Sequence, residues 1–287
     1  MRVYVNNFWS ENVQGVMTLY LSRKLRFHDQ FFKQYKEQFN LDENSGIRIL
    51  EIGCGPGALA ESLHRWFPKA QVTGIDRDSQ FISFAKANIP GVEFKIGDAT
   101  YLPFDDQSFD VTISYTVQEH IEPTAFWREQ LRVLKPGGIC LCMSARKGLQ
   151  ITAPCLELTE AEKDFWESVS QSNDELEKYG VGKYRLSEAE LPASMEQNGF
   201  VEVTTGYALI DLTPDAPKYS SQMAEEMFES MRQNDLEAIQ SMHSACAQKA
   251  ISAVNSKYDE RVRLYHERIR QWDTTVSLTM IVRGRKK

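Results

Sequence analysis

Apolar and polar positions change their spacing several times along the first half of the chain. Five short apolar runs are predicted strands, at residues 47–52, 70–75, 92–96, 111–115 and 139–143. Most of the segments between them place apolar residues three and four positions apart, which predicts helices. Strands that alternate with helices build a parallel sheet covered on both faces, so the pattern predicts a doubly wound α/β fold.

The flanking regions are mainly helical by the same criterion. Helices are predicted over residues 14–39, over residues 187–198 and, as a block, over residues 218–271. Thr159 and Glu162 have the spacing of a capping box, which predicts the start of a further helix. The basic residues 283–287 are expected to form a solvated end of the chain.

Three glycines at alternate positions follow the first predicted strand, within Leu50–Gly57, and a helical pattern begins directly after them. Glycine adopts positive φ readily and lets a ligand approach the backbone closely. The following helix directs unpaired N–H groups and the positive end of its dipole to the same place, which favours a polar or anionic ligand. Alone, such a loop is also compatible with a tight βα turn or with a nicotinamide or flavin site.

Carboxylates lie at the predicted tips of the next two strands. Asp76 falls about twenty residues beyond the last loop glycine, where an acidic side chain accepts hydrogen bonds from ribose hydroxyls. Asp98, followed by Ala99, offers the carboxylate and backbone N–H that the amine and ring nitrogen of adenine need. The pattern therefore predicts a nucleoside site. Because Asp76 would repel a phosphate beside Arg77, a 2′-phosphorylated cofactor is disfavoured.

Composition limits the class of partner. The chain has 287 residues, 42% of them apolar, and a net charge of −7, which argues against general affinity for nucleic acid or anionic membranes. The N-terminal segment lacks the pattern of a signal peptide, and no apolar run approaches the length of a membrane span. The five cysteines form no C-x-x-C pair. We therefore expect a cytoplasmic protein with a small-molecule partner, without nucleic acid, membrane or metal binding.

Six blocks occur in one order along the chain: Glu51–Gly57, Asp76, Gly97–Ala99, Pro103–Asp110, Glu119–Ile121 and Leu131–Gly138. This ordered set resembles the class I S-adenosylmethionine-dependent methyltransferases, and within them the bacterial enzymes that act on small molecules. The resemblance covers about residues 46–144. It implies a Rossmann-like, mostly parallel sheet of seven strands, of which the last two, at 200–212 and 274–282, form an antiparallel hairpin.

The same resemblance implies a domain organisation. Residues 1–45 are expected to form an N-terminal helical cap and residues 46–148 the cofactor-binding core. Residues 149–186, after strand five, are expected to be a helical lid with a hinge at Tyr179–Tyr184. The C-terminal part of the core, 187–287, includes a helical insertion at 218–271 between strands six and seven.

By similarity to the family, S-adenosylmethionine is the expected cofactor. Its methionine part is assigned to Glu51, Gly53, Cys54, Gly55 and Gly57, with Ser114 near the amine. Its ribose is assigned to Asp76, and its adenine to Asp98 and Ala99 with Arg77 stacked on the ring. Tyr20 and Arg26 are predicted to cover the methionine carboxylate, with Arg23 as the next choice.

The implied chemistry is an in-line displacement at a sulfonium methyl group, which alignment and exclusion of water can accelerate. An amine, thiolate or activated carbon needs little more, whereas a hydroxyl nucleophile usually needs a general base. His120 is the candidate base, with Tyr115 lining the pocket. The alternative is that Glu119 and His120 only orient the loop and cap the following helix.

Three functions remain open at this point. The first is methyl transfer to an O, N, S or C atom of a small organic molecule. The second is a protein or RNA methyltransferase, which is supported only by the basic clusters at residues 23–26 and 283–287. The third is a protein that binds S-adenosylmethionine without catalysis. The oligomeric state is left open.

Overall fold

A computed structural model describes residues 7–169, 181–242 and 244–287 of the chain. Tyr179 and Gly180 of the predicted hinge lie outside these described residues. The helices are α1 (Phe8–Asn12), α2 (Val16–Arg26), α3 (Phe32–Phe39), α4 (Ala58–Trp66), α5 (Ser79–Asn88), α6 (Pro123–Val133), α7 (Glu160–Ser168), α8 (Glu190–Gln197), α9 (Ser221–Gln240) and α10 (Ala247–His266). The strands are β1 (Arg48–Ile52), β2 (Gln71–Asp76), β3 (Glu93–Ile96), β4 (Phe109–Tyr115), β5 (Leu134–Ile151), β6 (Phe200–Leu212) and β7 (Thr274–Lys286).

The strands form one sheet of seven in the order β3-β2-β1-β4-β5-β7-β6. The pairs β1–β2, β1–β4, β2–β3 and β4–β5 are parallel. Ile52 at the end of β1 lies opposite Ile75 of β2 and Ser114 of β4. The order reverses at β1, so the loops after β1, β2 and β4 meet at one edge. This edge is where open α/β sheets bind ligands, and the predicted doubly wound fold is confirmed.

The inner strands are apolar because helices cover both of their faces. Leu50 and Ile52 of β1 are fully buried, as are Phe126 and Trp127 of α6, which pack in the same cluster. Full burial of each such side chain stabilises the fold by roughly 1.5–3 kcal/mol. The sheet is therefore a rigid support for the loops at its edge.

The predicted helix over residues 14–39 is wrong in its continuity. α2 ends at Arg26, the buried Phe27 follows, and a 3-10 helix at Asp29–Phe31 leads into α3. His28 is extended, and its ring accepts a hydrogen bond from the Gln30 N–H, which caps the 3-10 helix. The chain therefore turns between two helices, and α1 adds a third short helix ahead of them.

Two strands, β5 and β7, are longer than predicted. β5 runs from Leu134 to Ile151, and β7 continues to Lys286 instead of ending in a solvated tail at 283. Arg285 donates to the Glu202 carboxylate at 2.8 Å, and Lys286 donates to the Leu134 carbonyl at 2.6 Å. β7 lies between two strands in the sheet, so backbone pairing orders the basic residues that composition alone assigns to solvent.

The chain divides into two compact units. The described residues of the first are 7–146, 181–209 and 278–287, and those of the second are 147–169, 210–242 and 244–277. The second unit contains α7, α9 and α10 around its own apolar cluster, which includes Phe165, Ile239 and Val254. The capping box predicted at Thr159 and Glu162 is present at the start of α7. The finer domain boundaries predicted above stay predictions.

Candidate functional site

A cavity of about 310 Å³ lies within the first unit at the carboxyl ends of β1, β2 and β4. The glycine loop forms part of its wall, and so do the loops after β2, β3 and β4. α2 and the N-terminal α1 contribute the remaining side chains. The cavity therefore occupies the place at which the sequence predicts a nucleoside site.

The loop glycines have two different uses. Gly53 and Gly55 line the cavity with φ of +68° and +53°. A Cβ on Gly53 would meet the Val117 side chain at 2.3 Å, so this position requires both the open backbone and the missing side chain. Gly57 has φ of +90° and does not line the cavity; a Cβ there would meet the side chains of Ile89 and Phe94. Its assignment to the cofactor is not supported, since the close packing of α4 already accounts for it.

Asp76 joins the glycine loop to the tip of β2. One of its carboxylate oxygens accepts from the Gly55 N–H at 2.9 Å and the other from the Asp78 N–H at 2.9 Å. Burial raises the pKa of the Asp76 carboxyl above its usual range, and the two backbone donors oppose this rise. Asp98, at the tip of β3, also lines the cavity and accepts two hydrogen bonds of 2.7 Å from Thr100.

Glu51 is the most confined carboxyl group of the cavity. It is 3% exposed, and its Oε2 has no hydrogen-bond partner in the described part of the chain. Burial, and then the nearby charge of Asp76, raise the pKa of Glu51 well above its usual range. A buried acceptor without a partner costs about 1–3 kcal/mol. A ligand that donates a hydrogen bond here, above all a cationic amine, would remove that cost.

The arginine that reaches the cavity from α2 is Arg23. Its Nη2 donates to the Thr116 hydroxyl at 2.8 Å, and its guanidinium lies 4.3 Å from the Tyr115 ring centroid. Burial lowers the pKa of Arg23. Leu19, Arg23 and Phe27, four residues apart, line the cavity together because this spacing places them on one helix face.

Tyr20 and Arg26, the predicted pair, are absent from the cavity lining. The Tyr20 hydroxyl donates to Glu61 at 2.9 Å, and Arg26 donates to the Ser22 carbonyl of its own helix at 3.1 Å. The prediction thus selected residues on other faces of α2 than the one that meets the cavity. The spacing of Leu19, Arg23 and Phe27 is the signal that identifies the correct face.

Some of the other predicted contact residues line the cavity and one does not. Cys54, Arg77 and Ala99 line the cavity, whereas Ser114 does not. Ser114 is fully buried between Ile52 and Cys142 of the neighbouring strands. Successive side chains of a strand point to opposite faces, so Tyr115 lines the cavity and Ser114 faces away from it.

His120 lies at the cavity on a 3-10 helix, Gln118–His120, that follows β4. Its Nδ1 accepts a hydrogen bond from the Gly182 N–H at 2.8 Å, and its ring packs edge-on against Trp9 at 4.6 Å. Burial, and then the charge of Arg77, lower the pKa of His120 to about 4. The imidazole is therefore neutral near pH 7, with Nδ1 occupied and the proton on Nε2.

Trp9 is a cavity residue that the sequence did not indicate. The helix around it, α1, is attached to the start of α5 by polar contacts. The Ser10 N–H donates to Asp78 at 2.9 Å, and the Asn7 side chain accepts from the Ser79 N–H at 3.0 Å. Because α1 spans five residues, it has too few positions to show a periodic pattern.

The described ranges show neither a metal cluster nor a membrane-spanning helix. Residues 7–169, 181–242 and 244–287 contain no group of three or more His, Cys, Asp or Glu side chains that could hold a metal ion. Over the same ranges, no helix is both long and apolar enough to cross a membrane.

A doubly wound sheet in this order, with a glycine loop and strand-tip carboxylates around one cavity, is a Rossmann-like arrangement suited to a nucleoside-containing ligand. Residues 50–142 match the family model described as a methyltransferase domain. This segment is therefore similar to methyltransferase domains, and the resemblance seen in the sequence is confirmed.

Curated relatives and solved structures agree with this assignment. The chain is 37% identical over 149 residues to a fatty-acid O-methyltransferase of Mycolicibacterium smegmatis, covering 50% of this chain and 53% of the relative. It is 34% identical over 118 residues to a ubiquinone/menaquinone biosynthesis C-methyltransferase of Desulfotalea psychrophila. That match covers 40% of this chain and 48% of the relative. The chain thus spans about half the length of these relatives.

A solved structure extends the similarity to the whole fold. Haemonchus contortus phosphoethanolamine N-methyltransferase 2, in complex with S-adenosyl-L-methionine, superposes with a TM-score of 0.54 at 17% identity. The match covers 98% of this chain and 60% of that one. At this identity the similarity supports the fold alone.

Proposed function

We propose that the chain binds S-adenosylmethionine in the cavity and transfers its methyl group to a small organic acceptor. The observation that carries the proposal is the pair of carboxyl groups of Glu51 and Asp76 at the tips of adjacent strands. The unpaired Oε2 of Glu51 is suited to the amine of the cofactor, and Asp76 is suited to its ribose hydroxyls.

The remaining assignments follow the cavity wall. Asp98 and Ala99 are proposed to hold the adenine, and Gly53 and Gly55 allow close approach of the ligand to the backbone. Arg23 takes the place predicted for Arg26 and pairs with the methionine carboxylate, because it is the arginine of α2 that borders the cavity. A compact ligand with one cation and one anion would then neutralise the charges of Glu51 and Arg23.

The bound cofactor supplies a methyl group on a positively charged sulfur. The residues of this chain hold that methyl in line with the acceptor and keep water away from it. Trp9, Phe27, Val117 and Ile121 make the wall largely apolar, which favours an acceptor with an apolar body.

The names of the two relatives describe transfer to oxygen in one case and to carbon in the other. At this level the proposal therefore leaves the methylated atom open among O, N, S and C. A cytoplasmic location, no nucleic-acid partner and no metal remain part of the proposal. They rest on the net charge of −7 and on the cysteine pattern.

The test has two measurements on the full chain. Isothermal titration with S-adenosylhomocysteine is expected to give one site per chain. Incubation with methyl-labelled S-adenosylmethionine and a fractionated cell extract is expected to label the small-molecule fraction. Label in the protein or RNA fraction instead would favour the second function considered above, and binding without transfer to any fraction would favour a non-catalytic binding protein.

A further inference from the structure

Thr116, the residue directly after β4, has an unusual backbone conformation in the cavity wall. Its φ is +54°, in the left-handed region that β-branched residues rarely adopt. Its N–H donates to the Met143 carbonyl of β5 at 2.9 Å, so the neighbouring strand holds the residue in this conformation. Such a conformation costs free energy and occurs mostly at functional sites. A strained residue in the cavity wall therefore indicates a function of its side chain.

The Thr116 hydroxyl group joins Arg23 to the end of β4. It donates its one proton to the Tyr115 carbonyl at 2.7 Å, and its oxygen accepts a hydrogen bond from the Nη2 of Arg23 at 2.8 Å. The Tyr115 ring covers another side of the guanidinium, with its centroid 4.3 Å from the guanidinium carbon. The long side chain of Arg23 is therefore held in one position by two neighbouring residues.

The groups that hold Arg23 are neutral. Among the described residues, no carboxylate forms an ion pair with its guanidinium. Burial raises the pKa of Glu51 and the charge of Arg23 opposes this rise, whereas at Asp76 the charge of Arg77 opposes the rise in pKa that burial causes. Arg23 is thus the arginine whose charge acts on Glu51. A cation without an anionic partner and a carboxyl group with an unpaired oxygen together match the carboxylate and amine of an amino acid.

On the basis of the proposed function, we propose that Thr116 is a positioning residue for the cofactor. Its hydroxyl holds the Arg23 guanidinium against the Tyr115 ring, in the orientation that binds the carboxylate of the methionine part. The other N–H groups of Arg23 then meet that carboxylate without the loss of rotamer freedom that a mobile arginine would undergo on binding. Thr116 acts on the ligand through Arg23.

Two ligands that differ in the carboxylate test the proposal: S-adenosylhomocysteine and its decarboxylated analogue, which keeps the amine. Isothermal titration of the full chain measures the Kd of each. Thr116→Val keeps the β-branched shape and removes the hydroxyl. It is expected to raise the Kd of S-adenosylhomocysteine about 10-fold and that of the analogue less than about 2-fold. Thr116→Ser should restore the affinity to within about 3-fold of the parent. Equal weakening of both ligands, or an unchanged Kd for S-adenosylhomocysteine, overturns the proposal.

Thr100→Val is the matched control in the same cavity wall. The Thr100 hydroxyl donates to Asp98 at 2.7 Å, at the end proposed for the adenine, which both ligands possess. Any change in Kd in this variant should therefore be the same for both ligands. A loss of affinity for S-adenosylhomocysteine alone would show that the selective effect is not specific to Thr116 and would overturn the proposal.

A double-mutant cycle tests whether the effect passes through Arg23. In an Arg23→Gln background, adding Thr116→Val should change the Kd of S-adenosylhomocysteine by less than about 2-fold, because the hydroxyl has already lost the guanidinium that it positions. If the two losses multiply instead, Thr116 acts independently of Arg23 and its assigned role is wrong.

Thr116→Gly separates the backbone from the hydroxyl. Glycine adopts a φ near +54° without strain, so the thermal midpoint should not fall, although S-adenosylhomocysteine binds more weakly, as in Thr116→Val. A lower thermal midpoint with an unchanged affinity would make Thr116 a structural residue and overturn the proposal. Failure of the parent chain to bind S-adenosylhomocysteine would contradict the proposed function itself.

Discussion

Buried charges occur in both units, but they are satisfied differently. In the second unit, Arg261 is fully buried on α10 and forms ion pairs with Asp215 at 2.8 Å and Asp273 at 2.6 Å. In the cavity of the first unit, Glu51 is buried with one oxygen unpaired, and Arg23 is bonded to a hydroxyl group. Arg261 Nη1 and Asp273 Oδ2 also lack a hydrogen-bond partner among the described residues, but their charges are paired with each other. The protein therefore pairs one set of charges internally and leaves the other set without an ionic partner.

This difference distinguishes residues that stabilise the fold from residues that bind a ligand. Removing one member of a buried ion pair leaves its partner charged and desolvated, so stability falls. Removing an unpaired buried charge relieves a cost and instead weakens ligand binding. The predictions below test this distinction, beginning with the largest effect.

Arg261→Met is expected to lower the free energy of unfolding by about 3–5 kcal/mol, because Asp215 and Asp273 remain buried without a cation. Asp215 also accepts from the N–H groups of Gln271 and Trp272, so the segment before β7 loosens as well. Chemical denaturation followed by circular dichroism measures the loss. A triple variant that adds Asp215→Asn and Asp273→Asn should recover much of it. A single variant as stable as the parent would show that this network contributes little.

Asp76→Ala is expected to weaken S-adenosylhomocysteine binding by about 2–3 kcal/mol, since charge-assisted hydrogen bonds to the ribose are lost. Isothermal titration measures the change, and Asp106→Ala, a surface carboxylate paired with Arg132, is the control. The thermal midpoint should change much less than in Arg261→Met. A variant that binds normally would contradict the assignment of the ribose to the tip of β2.

Glu51→Gln addresses the unpaired carboxyl group directly. Because burial raises the pKa of Glu51 in the folded state, its protonated form stabilises the fold. This stabilisation is complete below the unfolded pKa, near 4.5, and is lost as the pH rises through the raised folded value. Without ligand, the variant should therefore lose less stability on going to alkaline pH, with a gain on the order of 1 kcal/mol.

The affinity for the cofactor should change with pH in the opposite direction to the stability of the ligand-free protein. A cationic amine favours the ionised carboxylate, so binding to the parent should tighten as the pH rises through the pKa of Glu51. Glu51→Gln should bind more weakly and lose this pH dependence. Thermal unfolding and isothermal titration across the pH range measure the two effects. A parallel pH dependence in parent and variant would remove Glu51 as its source.

The site residues also differ in how well the sequence predicts them. The glycine loop, Asp76 and Asp98 follow from strand ends and backbone geometry, which local sequence determines, and the structure places all of them at one edge. Arg23 and Ser114 depend on which face of a helix or strand meets the cavity. An error of three residues on α2, or of one on β4, exchanges a lining side chain for one that faces away.

Other features depend on contacts between distant segments and have no local signal. Trp9 reaches the cavity because α1 is bound to Asp78 and Ser79, about seventy residues away in sequence. The Nδ1 of His120 is occupied by Gly182, which a reading of the Glu119–Ile121 block cannot reveal. The basic residues at 283–287 looked like a tail because their ordering comes from pairing within the sheet.

Arg263→Gln is expected to have the smallest effect on stability. It tests whether the contribution of Arg261 comes from burial or from ion pairing itself. Arg263 lies two residues beyond Arg261 on α10 and also contacts two carboxylates, Glu260 and Glu267, each at 2.6 Å. These groups face solvent, which screens their attraction and leaves both carboxylates hydrated when the arginine is removed. We expect a change in thermal midpoint below about 1 °C, measured beside Arg261→Met in the same buffer. Equal losses in the two variants would mean that pairing itself, and not burial, determines stability, and the contrast between the two sets of charges would fail.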